Sequence, residues 1–251
     1  MGIGEALVPD WPAPPGVHAL CTTREGGVSR GSYRSLNLGD HVGDAPADVA
    51  VNRARLRDAL GARAVFLQQV HGTRLLALDA QTPDGAAGDA CTTTAAGIAC
   101  SIMVADCLPV LFTDRRGRRV AAAHAGWRGL AAGVLEEAVS AFAAEAGPGE
   151  LLAWLGPCIG SEAFEVGDEV RTAFEAAAPQ ARQCFKPAAT SGKWLADLAG
   201  LARQRLQAAG LAQLYGNDGS APWCTVNNPL RFFSHRRDRV SGRFAACIWR
   251  D

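Results

Sequence analysis

Three side chains of metal-binding type lie in the middle of this chain, each next to an apolar run. His71 stands in Gln68-Gln69-Val70-His71-Gly72, Cys107 in Ala105-Asp106-Cys107-Leu108-Pro109, and His124 in Ala123-His124-Ala125-Gly126-Trp127-Arg128-Gly129. Two imidazoles and one thiolate suit zinc, and three protein ligands would leave a fourth position open to water or substrate, as in catalytic metal sites. The same donors also suit copper. The chain has only 5 His, and two of them are here. The intervals of 36 and 17 residues match no short zinc pattern, so the spacing alone does not make them a site.

Each residue also has a plainer reading. His71 can be an imidazole hydrogen-bonded at a strand end. Cys107 can be a small core residue, or a nucleophile if it ionises. Asp106 beside it can orient a ligand or simply form a turn. Gly126 and Gly129 can serve only the turn, with Arg128 as a solvated charge. Otherwise the turn leads into a helix whose first amides could receive an anion such as phosphate, with Arg128 adding fixed charge.

Two more segments could shape a pocket. Thr22-Thr23-Arg24-Glu25-Gly26-Gly27-Val28-Ser29-Arg30-Gly31 offers backbone amides and Arg24 to a phosphate or ribose, although it matches no phosphate-loop signature. Phe232-Phe233-Ser234-His235-Arg236-Arg237-Asp238 combines aromatics with guanidinium groups. The other seven cysteines read as small, buried and unpaired.

The elements that must position these residues follow from periodicity and punctuation. Val17–Thr23 reads as a strand, and Arg24–Gly43 as a long Gly- and Ser-rich loop. Asp44 is the expected cap of the helix that follows, with Pro46 in its first turn and Gly61 at its end. Strands are expected at Val65–Val70, Arg74–Asp79, Ile98–Ala105, Val110–Thr113, Val120–Ala123, Leu151–Leu155, Leu211–Tyr215 and Phe244–Trp249. Asp114–Gly117 reads as a hairpin turn. Arg128–Ala146 carries an apolar face and reads as one helix. Two further helices are expected at 168–178 and 194–209. Strands and helices mix without strict alternation, which favours an α+β or layered α/β fold over a doubly wound sheet.

Bulk properties exclude several classes. The 251 residues suffice for one large domain with a substantial core. Lys plus Arg and Asp plus Glu are both 25, which argues against a nucleic-acid footprint. A local basic patch remains in Arg236, Arg237, Arg239 and Arg243. No apolar run is long enough to span a bilayer, and the first ten residues lack a secretory signal. The 8 Cys form no CxxC pair. A reduced, cytoplasmic, monomeric protein is the expectation.

Taken together, these segments resemble the YfiH family, from about Cys21 to Trp249. The resemblance is carried by Thr22-Thr23-Arg24 with Gly26-Gly27-Val28-Ser29, Ser35-Leu36-Asn37-Leu38-Gly39 with His41-Val42-Gly43-Asp44, and Asn52-Arg53. The three motifs above continue it, with Gly88-Asp89-Ala90, Gly156-Pro157-Cys158-Ile159-Gly160, Phe164-Glu165-Val166-Gly167, Cys224-Thr225 and Phe232–Asp238 with Gly242-Arg243. Family members carry names such as laccase-domain protein, polyphenol oxidase-like protein, purine nucleoside phosphorylase and peptidoglycan editing factor. Cys91 and Cys100 depart from the apolar residues expected at their positions.

The resemblance implies a single layered α/β/β/α domain over 1–251, related to cysteine-hydrolase-like folds, with zinc held by His71, Cys107 and His124. It also implies phosphorolysis of adenosine, inosine, guanosine and methylthioadenosine, and deamination of adenosine. Arg24, Asn37, Arg128 and Arg236 are the expected contacts to substrate. The alternatives are a Cys/His amide hydrolase acting on a UDP-muramoyl amino acid, a copper-dependent phenol oxidase, and a non-enzymatic binding module. Four-copper chemistry needs more imidazoles than the 5 His present.

Overall fold

A computed structural model describes residues 2–251. The elements, in chain order, are β1 (Val17–Cys21), α1 (Pro46–Leu60), β2 (Arg63–Phe66), β3 (Leu75–Ala77), β4 (Ala90–Thr93), β5 (Ile98–Val104), β6 (Leu108–Asp114) and β7 (Val120–Ala125). They continue with α2 (Trp127–Ala132), α3 (Val134–Ser140), β8 (Leu151–Leu155), β9 (Glu165–Gly167), α4 (Asp168–Ala177), β10 (Phe185–Pro187), β11 (Lys193–Ala196), α5 (Leu198–Ala208), β12 (Gln213–Gly216), α6 (His235–Asp238) and β13 (Phe244–Arg250).

Two sheets lie face to face. One has strand order β1-β13-β5-β2 and the other β12-β8-β6-β7-β4-β3. Side-chain alternation shows the layering. On β5, Cys100, Ile102 and Val104 join the core between the sheets, while Ala99 and Met103 face Leu56 and Leu60 of α1. On β7, Val120 and Ala122 face the other sheet, while Ala121, Ala123 and Ala125 face the α2–α5 side with Leu130, Val134 and Leu201. The result is α/β/β/α. Both sheets are covered on both faces, so their strands read as unbroken apolar runs. A small sheet, β10-β11-β9, packs beside α4.

Several expected boundaries move. The Arg128–Ala146 helix is two helices, because Gly133 at φ 106° breaks it and reaches a conformation that costs a side chain heavily. The helix expected at 194–209 begins at Leu198. Its first residues form β11, paired antiparallel with β9 and β10, and Asp197 caps the helix by accepting from the Gly200 amide at 2.9 Å. Asp44 does not cap α1, whose cap position is Ala45. Its carboxylate accepts instead from Ser29 Oγ at 2.6 Å and Asn37 Nδ2 at 2.9 Å, which ties down the 24–43 loop. Gly61 ends α1 at φ 61°, in the left-handed region. Strand β4 has only four residues, too short to stand out as a period.

Among the described residues no helix is long and apolar enough to cross a membrane. All eight cysteines are free thiols. Seven are buried and Cys107 is partly exposed.

Candidate metal centre

The three metal-type residues reach one point from three strand ends. His71 follows β2 after a short extended stretch. Its backbone is left-handed at φ 62°, an uncommon conformation for a non-glycine residue. Asp89 holds it there: the carboxylate accepts the amides of Val70 at 3.2 Å, His71 at 2.8 Å and Gly72 at 2.7 Å. Cys107 lies on the three-residue crossing from β5 to β6, which belong to different sheets. His124 lies on β7 opposite Pro109 of β6, and its own amide donates to the Asp89 carbonyl at 2.7 Å.

Their ligand atoms all lie within 4.8 Å of one another. Cys107 Sγ is 3.7 Å from His71 Nε2, and the two imidazole rings stand edge to face with centroids 4.8 Å apart. Among the described residues no other His, Cys, Asp or Glu group of three or more is arranged to hold a metal.

The donors fit a metal ion on two grounds of this structure. First, His124 Nδ1 lies 2.9 Å from Asp89 Oδ1. An ionised carboxylate only accepts, so Nδ1 carries the proton and Nε2 is left free to ligate. Second, the surroundings leave room. A Cβ on Gly126 would sit 2.6 Å from His71 Cδ2 and 3.2 Å from Cys107 Sγ, and one on Gly129 would sit 2.6 Å from the Gly72 carbonyl oxygen. These glycines therefore do more than turn the chain, because they admit the ligand loops.

Charge reinforces the cluster. Burial pushes the Cys107 thiol up, but the charge on His124 and hydrogen bonds from both imidazoles outweigh it and bring its pKa down to about 6. Burial works against a charged His124. The Cys107 thiolate and the Asp89 hydrogen bond overcome it and raise His124 to about 9. Burial also opposes ionisation of Asp89, yet hydrogen bonds from His124, Gly72 and His71 keep its carboxyl below the usual range.

A pocket of about 230 Å³ opens beside His71 and Cys107. Arg128 and Arg236, both expected at the site, line it, together with Trp127, Phe164, His235 and Arg239. Arg128 lies over the Trp127 ring, 4.5 Å from its centroid. Arg24 and Asn37 lie elsewhere. Arg24 donates to the Arg34 and Pro229 carbonyls at 2.9 Å and lines a separate surface hollow. Asn37 is fully buried, and its amide is used on Gly39, Asp44 and the Arg243 amide.

Asp106 makes no hydrogen bond to either imidazole. Its carboxylate accepts from Thr225 Oγ1 at 2.6 Å and the Arg236 amide at 2.7 Å, pinning the crossing at φ 92°. The residue that orients the imidazole is Asp89. Its own signal in the sequence was slight, an Asp between Gly88 and Ala90.

Residues 18–251 match the family described as multi-copper polyphenol oxidoreductase laccase. A Pseudomonas aeruginosa protein named purine nucleoside phosphorylase is 52% identical over 244 residues, 97% of each chain. The Escherichia coli purine nucleoside phosphorylase YfiH is 50% identical over 98% of this chain and 99% of the relative. The crystal structure of a Neisseria meningitidis protein superposes with a TM-score of 0.90 at 48% identity, over 98% of this chain and 99% of that one. With likeness of this degree over nearly the whole chain, including the span that holds His71, Cys107 and His124, the chain belongs to the YfiH family, the laccase-like family of that description.

Proposed function

We propose that this chain is a purine nucleoside phosphorylase built on a zinc centre at His71, Cys107 and His124. The carrying observation is the cluster itself, opening onto a pocket with guanidinium groups, in a chain half identical to proteins that bear that enzyme's name. In phosphorolysis, phosphate attacks the ribose C1′ and the purine leaves with the bonding pair. Arg128 and Arg236 suit the incoming anion. Trp127, Ile159, Phe164 and Leu198 give the pocket apolar surface for a flat base.

Asp89 keeps His124 in one tautomer. Cys107 and His71 complete the donor set. When bound, zinc supplies a Lewis acid and a water acidified toward neutral pH, the chemistry that adenosine deamination requires. Adenosine, inosine, guanosine and methylthioadenosine are the proposed substrates.

The Cys107–His124–Asp89 series favours one second reading. A thiol at about 6, an imidazole at about 9 and a carboxylate behind it form a nucleophile, base and orienting group. That set would attack an amide such as that of a UDP-muramoyl amino acid. Metal dependence separates the two readings.

The test is purified protein with adenosine, with and without phosphate, products read by mass spectrometry beside Cys107→Ala. The expected result is phosphate-dependent release of adenine and ribose 1-phosphate, or conversion to inosine, lost in the variant and after chelation. No turnover by zinc-loaded protein overturns the proposal.

A further inference from the structure

We infer that Arg239, with Arg128 of the same lining, binds a phosphate group in the metal-centre pocket. The inference deepens the phosphorolytic reading and rests on it for the choice of ligand.

The four arginines near the C-terminus are used differently. Arg237 is committed to the protein: it donates to the Thr225, Val226 and Phe232 carbonyls and clamps Asp238 with two bonds of 2.8 and 2.7 Å. Arg243 is committed likewise, to the Ser241 and Gly242 carbonyls. Arg236 reaches the Glu165 carbonyl at 3.1 Å. The Arg239 side chain, among the described residues, makes no hydrogen bond and no ion pair, yet Arg239 lines the pocket with His71 and Cys107.

Its backbone is also unusual. Arg239 has φ 61° and ψ −58°, and the Val240 amide donates across it to the Asp238 carbonyl at 2.7 Å. This is the positive-φ form of a γ-turn, rare and strained for any residue with a side chain. Glycine would relieve the strain. Strain of this kind persists where the surroundings enforce it, and it gathers at binding sites. The Arg237–Asp238 clamp and the Arg239 amide bond to the His235 carbonyl enforce it here.

In the same pocket, the Arg128 side chain makes no hydrogen bond to the described residues and rests on Trp127. His235 also lines the pocket. The carboxylate among the lining residues, Asp106, has both oxygens taken by Thr225 and Arg236. The balance is cationic with two unspent forks, which suits a phosphate that offers several acceptor oxygens. That phosphate is either inorganic or carried on a nucleoside.

The test is calorimetric titration of metal-loaded wild type, Arg239→Ala, Arg239→Lys and Arg128→Ala with inorganic phosphate and, separately, with adenosine 5′-monophosphate. Melting temperatures report whether each variant folds. Arg239→Ala is expected to weaken binding of at least one probe by about tenfold or more, as loss of a charged hydrogen bond implies, with Lys restoring part of it. The probe affected identifies the source of the phosphate. Unchanged binding of both probes in a folded Arg239→Ala, or no binding by wild type, overturns the inference. Calorimetry needs no turnover, so the two proposals fail separately. Arg239-dependent binding without phosphorolysis sinks only the activity, while phosphorolysis with an unchanged phosphate KM in Arg239→Ala sinks only this assignment.

Discussion

Asp89 and His124 are joined twice: the carboxylate accepts a hydrogen bond from Nδ1 at 2.9 Å, and the carbonyl accepts one from the backbone amide at 2.7 Å. The same carboxylate holds three consecutive amides of the His71 loop. One fully buried side chain therefore sets both imidazoles.

Replacing it should uncouple them. Asp89→Ala leaves three amides and an imidazole N–H without their acceptor, and each such group costs about 1–3 kcal/mol when buried. Asp89→Asn keeps the size but brings a donor toward those amides. Metal affinity is expected to fall about 10- to 100-fold in a folded Asp89→Asn, as losses behind a metal ligand commonly do. Metal competition titration and thermal melts measure the two effects.

Gly126→Ala should injure the metal site while sparing the fold. Its backbone at φ −66° accepts alanine, but the new methyl meets His71 Cδ2 at 2.6 Å. Metal content after dialysis should drop well below wild type. Gly133→Ala is the contrast: at φ 106° it costs about 1–2 kcal/mol of stability, with metal content unchanged.

In the metal-free protein the Cys107–His124 pair should give a stability plateau in pH. Cys107 has a lowered folded pKa, so its contribution builds above about 6 and is lost as pH falls through that value. His124 has a raised folded pKa, so its contribution is lost as pH rises through about 9. Chemical denaturation across that range, compared with Cys107→Ala, should show the plateau in wild type alone. Iodoacetamide alkylation of Cys107 should follow the lower titration. An alkylation midpoint near that of an ordinary thiol would refute the ion pair.

Thr225→Val should loosen the crossing that carries Cys107. It removes the 2.6 Å donor to Asp106 and leaves a carboxylate oxygen buried and unpartnered. The expected loss is about 1.5–3 kcal/mol, read as a lower denaturation midpoint.

The sequence showed where the chemistry lies better than how the framework holds it. His71, Cys107 and His124 each follow an apolar run, and strand ends are where such runs release side chains. Gly61 marked the end of α1 because only a left-handed residue closes a helix that way. Gly133 was hidden, since one glycine inside an amphipathic pattern reads as a tolerated residue. Strand β11 was hidden because its partners, β9 and β10, are not adjacent to it in periodicity, only in space. Asn37 looked like a ligand residue, and its packing inside the 24–43 loop comes from long-range partners, Asp44 and Arg243. Asp89 likewise acts on groups 17 to 35 residues away, which no local rule detects.

Cys107 rides on the three-residue step between two sheets. A thiol so mounted inherits the alignment tolerance of the whole sandwich: if one sheet slides against the other, the donor moves with it. Side chains such as Leu111 and Ile102, buried between the sheets, thus act as gauge blocks for the three donors. Wear at that seam would appear first as a misfit among the three donors, before it appeared as an unfolded protein.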